Sequence, residues 1–224
     1  MGVVVAMDGP SGSGKSSTSR GVAARLGLRY LDTGAMFRAM TWWMLQRGVD
    51  VDDPGAVADL VDAPLLVSGT DPESPTITVD GTDVAGPIRS QEVTAAVSAV
   101  SAVPEVRARL LREQRDIIGD GDIVVEGRDI GTVVAPEAAV KVYLTADPAA
   151  RAARRTAETA GTDVQATEQD LLRRDTIDSG RATAPLSMAA DAHHIDTTPF
   201  TLEQVVDQVV VLVEEATART SDGS

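Results

Sequence analysis

The segment at residues 9–16 constrains the fold more than any other part of the sequence. It reads Gly-Pro-Ser-Gly-Ser-Gly-Lys-Ser and matches the pattern G-x-x-x-x-G-K-[ST] at every fixed position. An apolar run at residues 3–7 precedes it, as a buried parallel strand would. Residues 17–26 follow with helical character, and Gly27 supplies a helix stop. A strand, a glycine-rich loop and a helix in this order predict a phosphate-binding loop for a nucleoside triphosphate and disfavour a chance match in a glycine-rich turn.

The residue types in this loop explain how it would hold ATP. Glycines let the backbone N–H groups and the positive end of the following helix point at an anion. Lys15 would reach the β- and γ-phosphates, and the Ser16 hydroxyl would be a ligand of Mg²⁺. The predicted ATP-binding residues of this segment are Gly9, Pro10, Ser11, Gly12, Ser13, Gly14, Lys15, Ser16 and Ser17.

Composition narrows the class of protein further. A chain of 224 residues suffices for one full α/β domain with a substantial core. Its formal net charge of −14 disfavours nucleic-acid binding, which would need a locally basic face. The absence of cysteine excludes a disulfide scaffold and fits a reducing compartment. No segment resembles a signal peptide or approaches the roughly 20 apolar residues of a membrane helix, so we expect a cytoplasmic protein.

Apolar runs alternate with helical segments along most of the chain. Further strands are predicted at 29–31, 122–125, 139–144 and 192–196. Helices are predicted at 35–47, 88–102, 104–118, 148–160, 167–179 and 202–216. This alternation predicts an α/β fold of three layers, in which a parallel five-stranded sheet is flanked by helices. Ligands should then gather beyond the carboxyl ends of the strands.

One stretch departs from this alternation. From residue 50 to 75 the sequence is rich in aspartate, proline and glycine, and short apolar runs occur at 65–67, 76–79 and 82–84. Asp80-Gly81 between the last two runs is a hairpin signal. These features predict a small antiparallel β insert, distinct from the parallel core. Trp42 and Trp43 belong to a Met/Trp stripe that is typical of packing rather than of a cofactor site.

Arginine usage indicates a second anionic ligand. Lysine occurs only at Lys15 and Lys141 among the 20 basic residues. An acidic protein that relies on arginine favours planar, bidentate donors, which suit phosphates and carboxylates. Four arginines lie in short clusters with other polar groups, which favours a functional role: Arg38, Arg128, Arg174 and Arg181. Three others are more typical of surface ion pairs: Arg25, Arg47 and Arg112.

Several of these segments together resemble bacterial cytidylate kinase, a nucleoside monophosphate kinase. They are residues 9–15, 31–38, 88–93, 126–134, 173–181 and 184–186. They occur in the family's order over nearly the whole chain, and the β insert is itself a mark of this family. The resemblance implies transfer of the ATP γ-phosphoryl group to CMP or dCMP, with Mg²⁺ as the cofactor. It departs from the family at Thr33, Glu126 and Phe37, where serine, aspartate and tyrosine are frequent.

The resemblance also implies a division of the single kinase domain. The core would comprise residues 1–32, 100–150 and 186–218, and residues 33–99 would form the monophosphate-binding segment with the β insert. A helical lid over ATP would span 151–185, and we expect the tail at 219–224 to be disordered. Arg151 would bind ATP, whereas Arg154 and Arg155 could be solvated. We expect the lid and the insert-bearing segment to close over the nucleotides and exclude water.

Substrate-binding residues are likewise implied by the resemblance. Thr33, Ser98, Arg107 and Asp129 would recognise CMP, the last three at the cytosine. Arg38, Arg128 and Arg181 would hold its phosphate, and Arg174 and Asp178 its sugar. A carboxylate can accept from the cytosine amine while arginine and serine donate to the ring nitrogen and the carbonyl. Uracil reverses the donor pattern at that edge and would be rejected.

The implied chemistry needs no strong base. The acceptor oxygen of CMP is already anionic, so alignment and charge neutralisation by Lys15, Arg128, Arg181 and Mg²⁺ would suffice. Asp8 or Asp32 could order the water shell of the metal, or could instead cap a turn. His193 and His194, beside a predicted strand, are expected to be structural.

Three alternatives stay open at this point. They are a kinase for another nucleoside monophosphate, a nucleotide-binding switch that turns over no monophosphate, and a nucleic-acid-associated ATPase, which the net charge of −14 disfavours. We expect a monomer whose partners are the small molecules ATP and CMP or dCMP, with no nucleic acid and no membrane.

Overall fold

The computed structural model describes residues 2–158, 163–181 and 183–222. The strands in these residues are β1 (Val4–Asp8), β2 (Arg29–Asp32), β3 (Leu66–Ser68), β4 (Ile77–Val79), β5 (Thr82–Asp83), β6 (Ile123–Glu126), β7 (Val140–Thr145) and β8 (His193–Asp196). Five of them form a parallel sheet in the order β2-β6-β1-β7-β8. Strands β1 and β6 lie inside the sheet and are almost wholly buried, which explains their continuous apolar runs. The predicted fold class is confirmed.

Helices cover both faces of this sheet. Within the described residues the α-helices are α1 (Lys15–Leu26), α2 (Thr33–Gln46), α3 (Pro54–Asp59), α4 (Gln91–Ala102), α5 (Pro104–Ile118), α6 (Pro148–Glu158), α7 (Val164–Gly180) and α8 (Leu202–Asp222). A 3₁₀ turn (Pro87–Arg89) and a π-helix (Ile130–Val134) complete the set. One apolar core packs α2, α4 and α5 with the insert on one face of the sheet, and a second packs α1 and α8 on the other.

Helix boundaries differ from the sequence expectations at several points. The helix predicted from residue 88 begins instead at Gln91, because the Ser90 side chain accepts a hydrogen bond from the Val93 N–H and caps α4. Helix α3 and the π-helix were not predicted. The closing helix continues to Asp222, beyond the predicted end at 216. Residues 159 and 160, the end of the helix predicted at 148–160, lie outside the described residues.

The β insert forms as the sequence predicts. Strands β3, β4 and β5 pair antiparallel, and Asp80 and Gly81 turn the hairpin with φ values of 51° and 79°, as a type I′ turn requires. The loop between β3 and β4, residues 69–76, reaches back to the core and is called the insert loop here. Its Thr70 carbonyl accepts a hydrogen bond of 2.8 Å from the Tyr30 N–H, so the insert loop covers the free edge of β2.

The two tryptophans pack against the core, whereas the two histidines are exposed. Trp43 is buried and donates its indole N–H to Asp80 at 2.9 Å, and Trp42 is half-buried against the same core. His193 and His194 are exposed on strand β8, where the His194 ring lies 2.8 Å from the Thr145 hydroxyl. Among the described residues no helix has the length and apolarity needed to cross a membrane.

Candidate nucleotide-binding site

The segments that follow β1, β2 and β6 meet at the carboxyl edge of the parallel sheet, where they line a cavity of about 190 Å³. The wall includes most of the predicted site residues: Ser11, Gly12, Gly14, Lys15, Ser16, Ser17, Thr33, Arg38, Ser98, Arg107, Arg128, Asp129, Arg174, Asp178 and Arg181. Four predicted residues lie outside the wall: Gly9, Pro10, Ser13 and Arg151. Residues up to 170 positions apart in sequence thus line one cavity.

The glycine-rich loop leaves the start of helix α1 open to an anion. Gly14 caps the helix with φ of 89° and offers no side-chain acceptor, and the first turn contains no acidic residue. Gly9 packs so tightly that a Cβ atom there would lie 2.0 Å from the Leu144 carbonyl oxygen. The Lys15 ammonium donates to the Pro10 carbonyl at 2.8 Å. Burial, reinforced by the charge of Arg128, lowers the pKa of Lys15 below its usual range.

Ser16 faces a carboxylate that the sequence reasoning did not place at the metal. Its hydroxyl donates to Glu126 Oε2 at 3.0 Å, and the Tyr30 hydroxyl donates to Oε1 of the same group. Glu126 ends strand β6 and is buried. Burial, followed by the charge of Asp32, raises the pKa of Glu126. A hydroxyl and a carboxylate are hard oxygen donors of the kind that Mg²⁺ prefers.

The site suits an ion held by few protein ligands. In the described part of the chain, no three His, Cys, Asp or Glu side chains cluster so as to hold a metal. Mg²⁺ is usually bound through one or two protein oxygens together with substrate phosphates and waters, so this donor set fits it. Asp32 caps α2 by accepting from the Ala35 N–H at 2.9 Å, and it also lines the cavity. Asp8 accepts from the Ile130 and Gly131 N–H groups at 2.8 and 2.7 Å and holds the π-helix in place.

The three residues expected at the base form one wall of the cavity. Arg107 pairs with Asp129 at 2.5 Å between Nη2 and Oδ2, and both side chains are less than a tenth exposed. Arg107 also donates to the Ser101 carbonyl at 3.2 Å, and its guanidinium lies over the Phe37 ring, 5.3 Å from the centroid. Ser98 is buried beside them. Phe37 therefore supports Arg107 although it lacks the hydroxyl frequent at its position.

The other arginines crowd positive charge into the cavity. Arg38 donates from Nη1 to the Ile88 carbonyl at 3.0 Å. Burial, then the charge of Arg174, lowers the pKa of Arg38 to about 9. Burial and the charge of Arg128 lower the pKa of Arg174 to about 10. Within the described residues, no hydrogen-bond partner reaches Arg174 Nε, Arg181 Nε or Arg181 Nη2, although all three atoms are buried. Buried N–H donors without acceptors call for an acceptor-rich ligand.

Asp178 offsets part of this charge and connects helix α7 to the loop. It accepts from Arg128 Nε at 2.9 Å and lies 3.7 Å from Arg181 Nη1. Burial alone would raise the pKa of Asp178, but the charge and hydrogen bond of Arg128 outweigh it and hold the pKa low. Arg128 also donates from Nη1 to the Gly9 carbonyl at 2.9 Å. One guanidinium thus ties the phosphate-binding loop to α7.

Comparison with known proteins identifies the family to which this arrangement belongs. The family model described as "Cytidylate kinase" matches residues 5–215. The chain belongs to the cytidylate kinase family. Among curated relatives, the cytidylate kinase of Streptomyces avermitilis is 60% identical over 218 residues, covering 96% of this chain and 94% of the relative. That of Streptomyces coelicolor is 62% identical over 218 residues, with the same shares of 96% and 94%.

A solved structure adds evidence on the fold alone. An uncharacterized protein from Eubacterium ventriosum superposes with a TM-score of 0.53 at 11% identity, covering 96% of this chain and 99% of that one. The family match confirms the resemblance read from the motifs. As a cytidylate kinase, the chain is a nucleotide-binding enzyme of the nucleoside monophosphate kinase class. Membership decides against the nucleotide-binding switch and the nucleic-acid-associated ATPase.

The three arginines of helix α6 differ from one another in placement. Arg151, expected at ATP, is buried outside the cavity wall, where it donates to the Ser11 carbonyl at 3.1 Å and pairs with Asp175. Arg154 donates to the Thr197 hydroxyl and carbonyl at 2.8 and 2.9 Å. Arg155 lines the cavity. The sequence does not indicate which of these three arginines faces the cavity, because that depends on contacts between α6, α7 and the glycine-rich loop.

Proposed function

We propose that the protein transfers the γ-phosphoryl group of ATP to CMP or dCMP, giving ADP and CDP or dCDP, with Mg²⁺ as the cofactor. The observation that carries this proposal is the set of buried guanidinium N–H groups of Arg174 and Arg181 that have no acceptor among the described residues. They face the same cavity as the glycine-rich loop and the Arg107–Asp129 pair. A cavity with two anion-binding regions suits two phosphorylated substrates.

ATP would lie on the glycine-rich loop. The N–H groups at the start of α1 would bind its β-phosphate, and Lys15 would leave the Pro10 carbonyl to bridge the β- and γ-phosphates. Ser16 would be a ligand of Mg²⁺, and the adjacent Glu126 carboxylate would face the metal's water shell. When bound, Mg²⁺ would neutralise charge on the β- and γ-phosphate oxygens. Arg151 would act from outside the wall by steadying the loop through Ser11.

CMP would lie against the arginine cluster. Arg38, Arg128 and Arg181 would bind its phosphate, and the buried Arg174 and Asp178 would contact its sugar. At the base, Asp129 would accept from the cytosine amine while Arg107 and Ser98 donate to the other atoms of that edge. Thr33 already donates to the Glu126 carbonyl at 2.7 Å, so its hydroxyl oxygen would serve CMP as an acceptor.

The transfer would then depend on alignment. The CMP phosphate oxygen carries a negative charge, so it needs no general base; it forms a bond to the γ-phosphorus as the bond from that phosphorus to the bridging oxygen of ADP breaks. The positive charges of Lys15, Arg128 and Arg181 would stabilise the negative charge on the phosphoryl group during its transfer. Closure of the segments at 33–99 and 151–185 would exclude water. The functional unit would be a monomer.

A coupled assay of ADP release tests the proposal. Wild-type protein with Mg²⁺ and ATP is offered CMP, dCMP, UMP, AMP and GMP in separate reactions. We expect rapid turnover of CMP or dCMP and turnover of the other three lower by at least about 100-fold, because a mismatched edge leaves Asp129 or Arg107 unpaired. Equal turnover of all five, or none, would refute the assignment. Hydrogen exchange in residues 33–99 and 151–181 should slow when CMP and an ATP analogue bind together, whereas unchanged exchange would refute closure.

A further inference from the structure

The Tyr30 side chain contacts the proposed metal site from inside the apolar core. Its ring is 2% exposed and packs with Val22, Ala23 and Val124 between the sheet and helix α1. Only its hydroxyl leaves this core, and it donates to Glu126 Oε1. The second oxygen of that carboxylate accepts from Ser16 at 3.0 Å. Tyr30, Glu126 and Ser16 therefore form a continuous hydrogen-bonded series that ends at the glycine-rich loop.

We propose that Tyr30 is a positioning residue that holds the Glu126 carboxylate in the orientation in which it faces Ser16 and the metal ion. This inference rests on the proposed function, because it assigns Tyr30 a part in binding the Mg²⁺ that accompanies ATP. Tyr30 would not touch the substrates or the metal. It would act through Glu126, as outer-shell groups act on metal ligands elsewhere.

The geometry explains why the carboxylate needs a second partner. The backbone of Glu126 is fixed, because β6 pairs with β1 and β2 and the Glu126 carbonyl accepts from Thr33 at 2.7 Å. Its side chain still has three rotatable bonds. Among the described residues, Tyr30 and Ser16 are the side chains that donate to the carboxylate. Ser16 lies on the loop that would bind the nucleotide, whereas Tyr30 is held in place by the core. Tyr30 is therefore the donor whose position stays fixed.

A tyrosine suits this role because it is both rigid and permanently a donor. The ring has two torsions and is held by close packing, so its hydroxyl has little freedom to move. Burial, followed by the negative charge of Glu126, raises the pKa of Tyr30 far above its usual value, so the hydroxyl keeps its proton at any physiological pH. A phenylalanine at this position would fill nearly the same volume and leave one carboxylate oxygen unpaired.

The test measures binding rather than turnover. The affinity of a non-hydrolysable ATP analogue is measured by calorimetry with Mg²⁺ and again with a chelator, and the ratio of the two affinities gives the gain due to the metal. We expect Tyr30→Phe to lower this ratio about tenfold, the usual order for loss of an outer-shell partner, while the affinity without metal stays unchanged. Tyr143→Phe is the matched control: it removes the same atom from a tyrosine outside the cavity wall and leaves the ratio at the wild-type value.

A double-variant cycle shows whether Tyr30 acts through Glu126. Glu126→Gln should lower the ratio at least as far as Tyr30→Phe, and adding Tyr30→Phe to Glu126→Gln should produce no further loss. Additive losses would overturn the proposal, as would a wild-type ratio in folded Tyr30→Phe. If that variant does not fold, Tyr30→Met takes its place, because methionine also lacks the hydroxyl and can adapt to an irregular core. A wild-type ratio in folded Tyr30→Met would equally overturn the proposal.

The wild-type protein separates this inference from the proposed function. A wild-type ratio of one, with no gain from Mg²⁺, would refute the metal site itself and with it the role of Tyr30. A large wild-type ratio that Tyr30→Phe preserves would refute the positioning role alone. Turnover of CMP in the wild type is measured separately and tests the substrate assignment.

Discussion

Removal of the Asp129 carboxylate tests the proposed cytosine site most directly. Asp129→Ala leaves the Arg107 guanidinium buried without its counter-ion, since among the described residues its other acceptor is the Ser101 carbonyl, at 3.2 Å. Breaking a buried ion pair at one end costs about 3–5 kcal/mol, and the remaining carbonyl places this case near 3 kcal/mol. The variant should therefore be folded but less stable than wild type, with a lower urea midpoint.

The loss of CMP phosphorylation should exceed what reduced stability explains. The variant loses a charge-assisted hydrogen bond to the cytosine amine, about 2 kcal/mol, and lets Arg107 move away from the base, about as much again. Together these losses correspond to about a thousandfold lower kcat/KM for CMP. Affinity for an ATP analogue should be unchanged, because Asp129 does not contact the glycine-rich loop. Coupled assays of ADP release, run below the unfolding temperature, give kcat/KM for CMP. Calorimetry gives the affinity for the ATP analogue.

Two further variants separate binding from folding. Arg109→Leu removes another buried arginine, which donates to the Pro64 carbonyl at 2.6 Å and is not part of the cavity wall. It should cost similar stability without changing kcat/KM for CMP. The double variant Arg107→Met/Asp129→Leu removes both charges and should recover most of the stability while CMP phosphorylation stays lost. The reasoning is refuted if Asp129→Ala phosphorylates CMP like wild type, or if the double variant regains that activity.

Three further predictions concern the phosphate site, pH and the insert. Arg38→Ala should raise KM for CMP about 10- to 100-fold with KM for ATP unchanged, whereas equal effects on both would contradict its placement at CMP. Burial raises the pKa of Asp8 from 3.8 to about 6, so the folded state binds its proton more tightly than the unfolded state and Asp8 costs stability as pH rises through that window. The difference in free energy of unfolding between wild type and Asp8→Asn should therefore fall by roughly 2 kcal/mol between pH 4 and 7, and a constant difference in urea titrations would argue against the shift. Asp80→Ala should lower the free energy of unfolding, because it removes the acceptor of the Leu65 N–H and of the Trp43 indole, both at 2.9 Å. Unfolding is followed by tryptophan fluorescence, and wild-type stability would be the contrary result.

Features that depend on neighbours in sequence could be predicted from the sequence. Gly27 ends α1 in the left-handed conformation, and Asp80-Gly81 makes the hairpin turn, because local backbone geometry decides both. The Asp-Pro pair at 53–54 is a helix-start signal in a stretch for which we predicted no helix. Asp53 caps α3 by accepting from the Gly55 N–H at 2.9 Å, and Pro54 occupies its first turn.

Features that depend on residues distant in sequence could not be predicted from the sequence. The π-helix forms where Asp8, more than 120 residues earlier, accepts from two of its N–H groups. The contact between Ser16 and Glu126 joins residues 110 apart, so no spacing in the sequence indicated it. Family motifs nevertheless placed most of the site residues in the cavity wall, since those motifs follow strands that end at one edge. Arg151 is an exception: its side chain lies outside the wall and donates to the Ser11 carbonyl, a placement that depends on tertiary packing.

The hydrogen bond from Tyr30 to Thr70 covers an edge strand of the parallel sheet. An uncovered edge offers unpaired backbone groups on which another chain can add a strand. A shortened kinase lacking the insert loop would therefore gain a surface for self-association and lose solubility. Any minimal version of this enzyme should either keep residues 69–76 or place a charged side chain on the outer edge of β2.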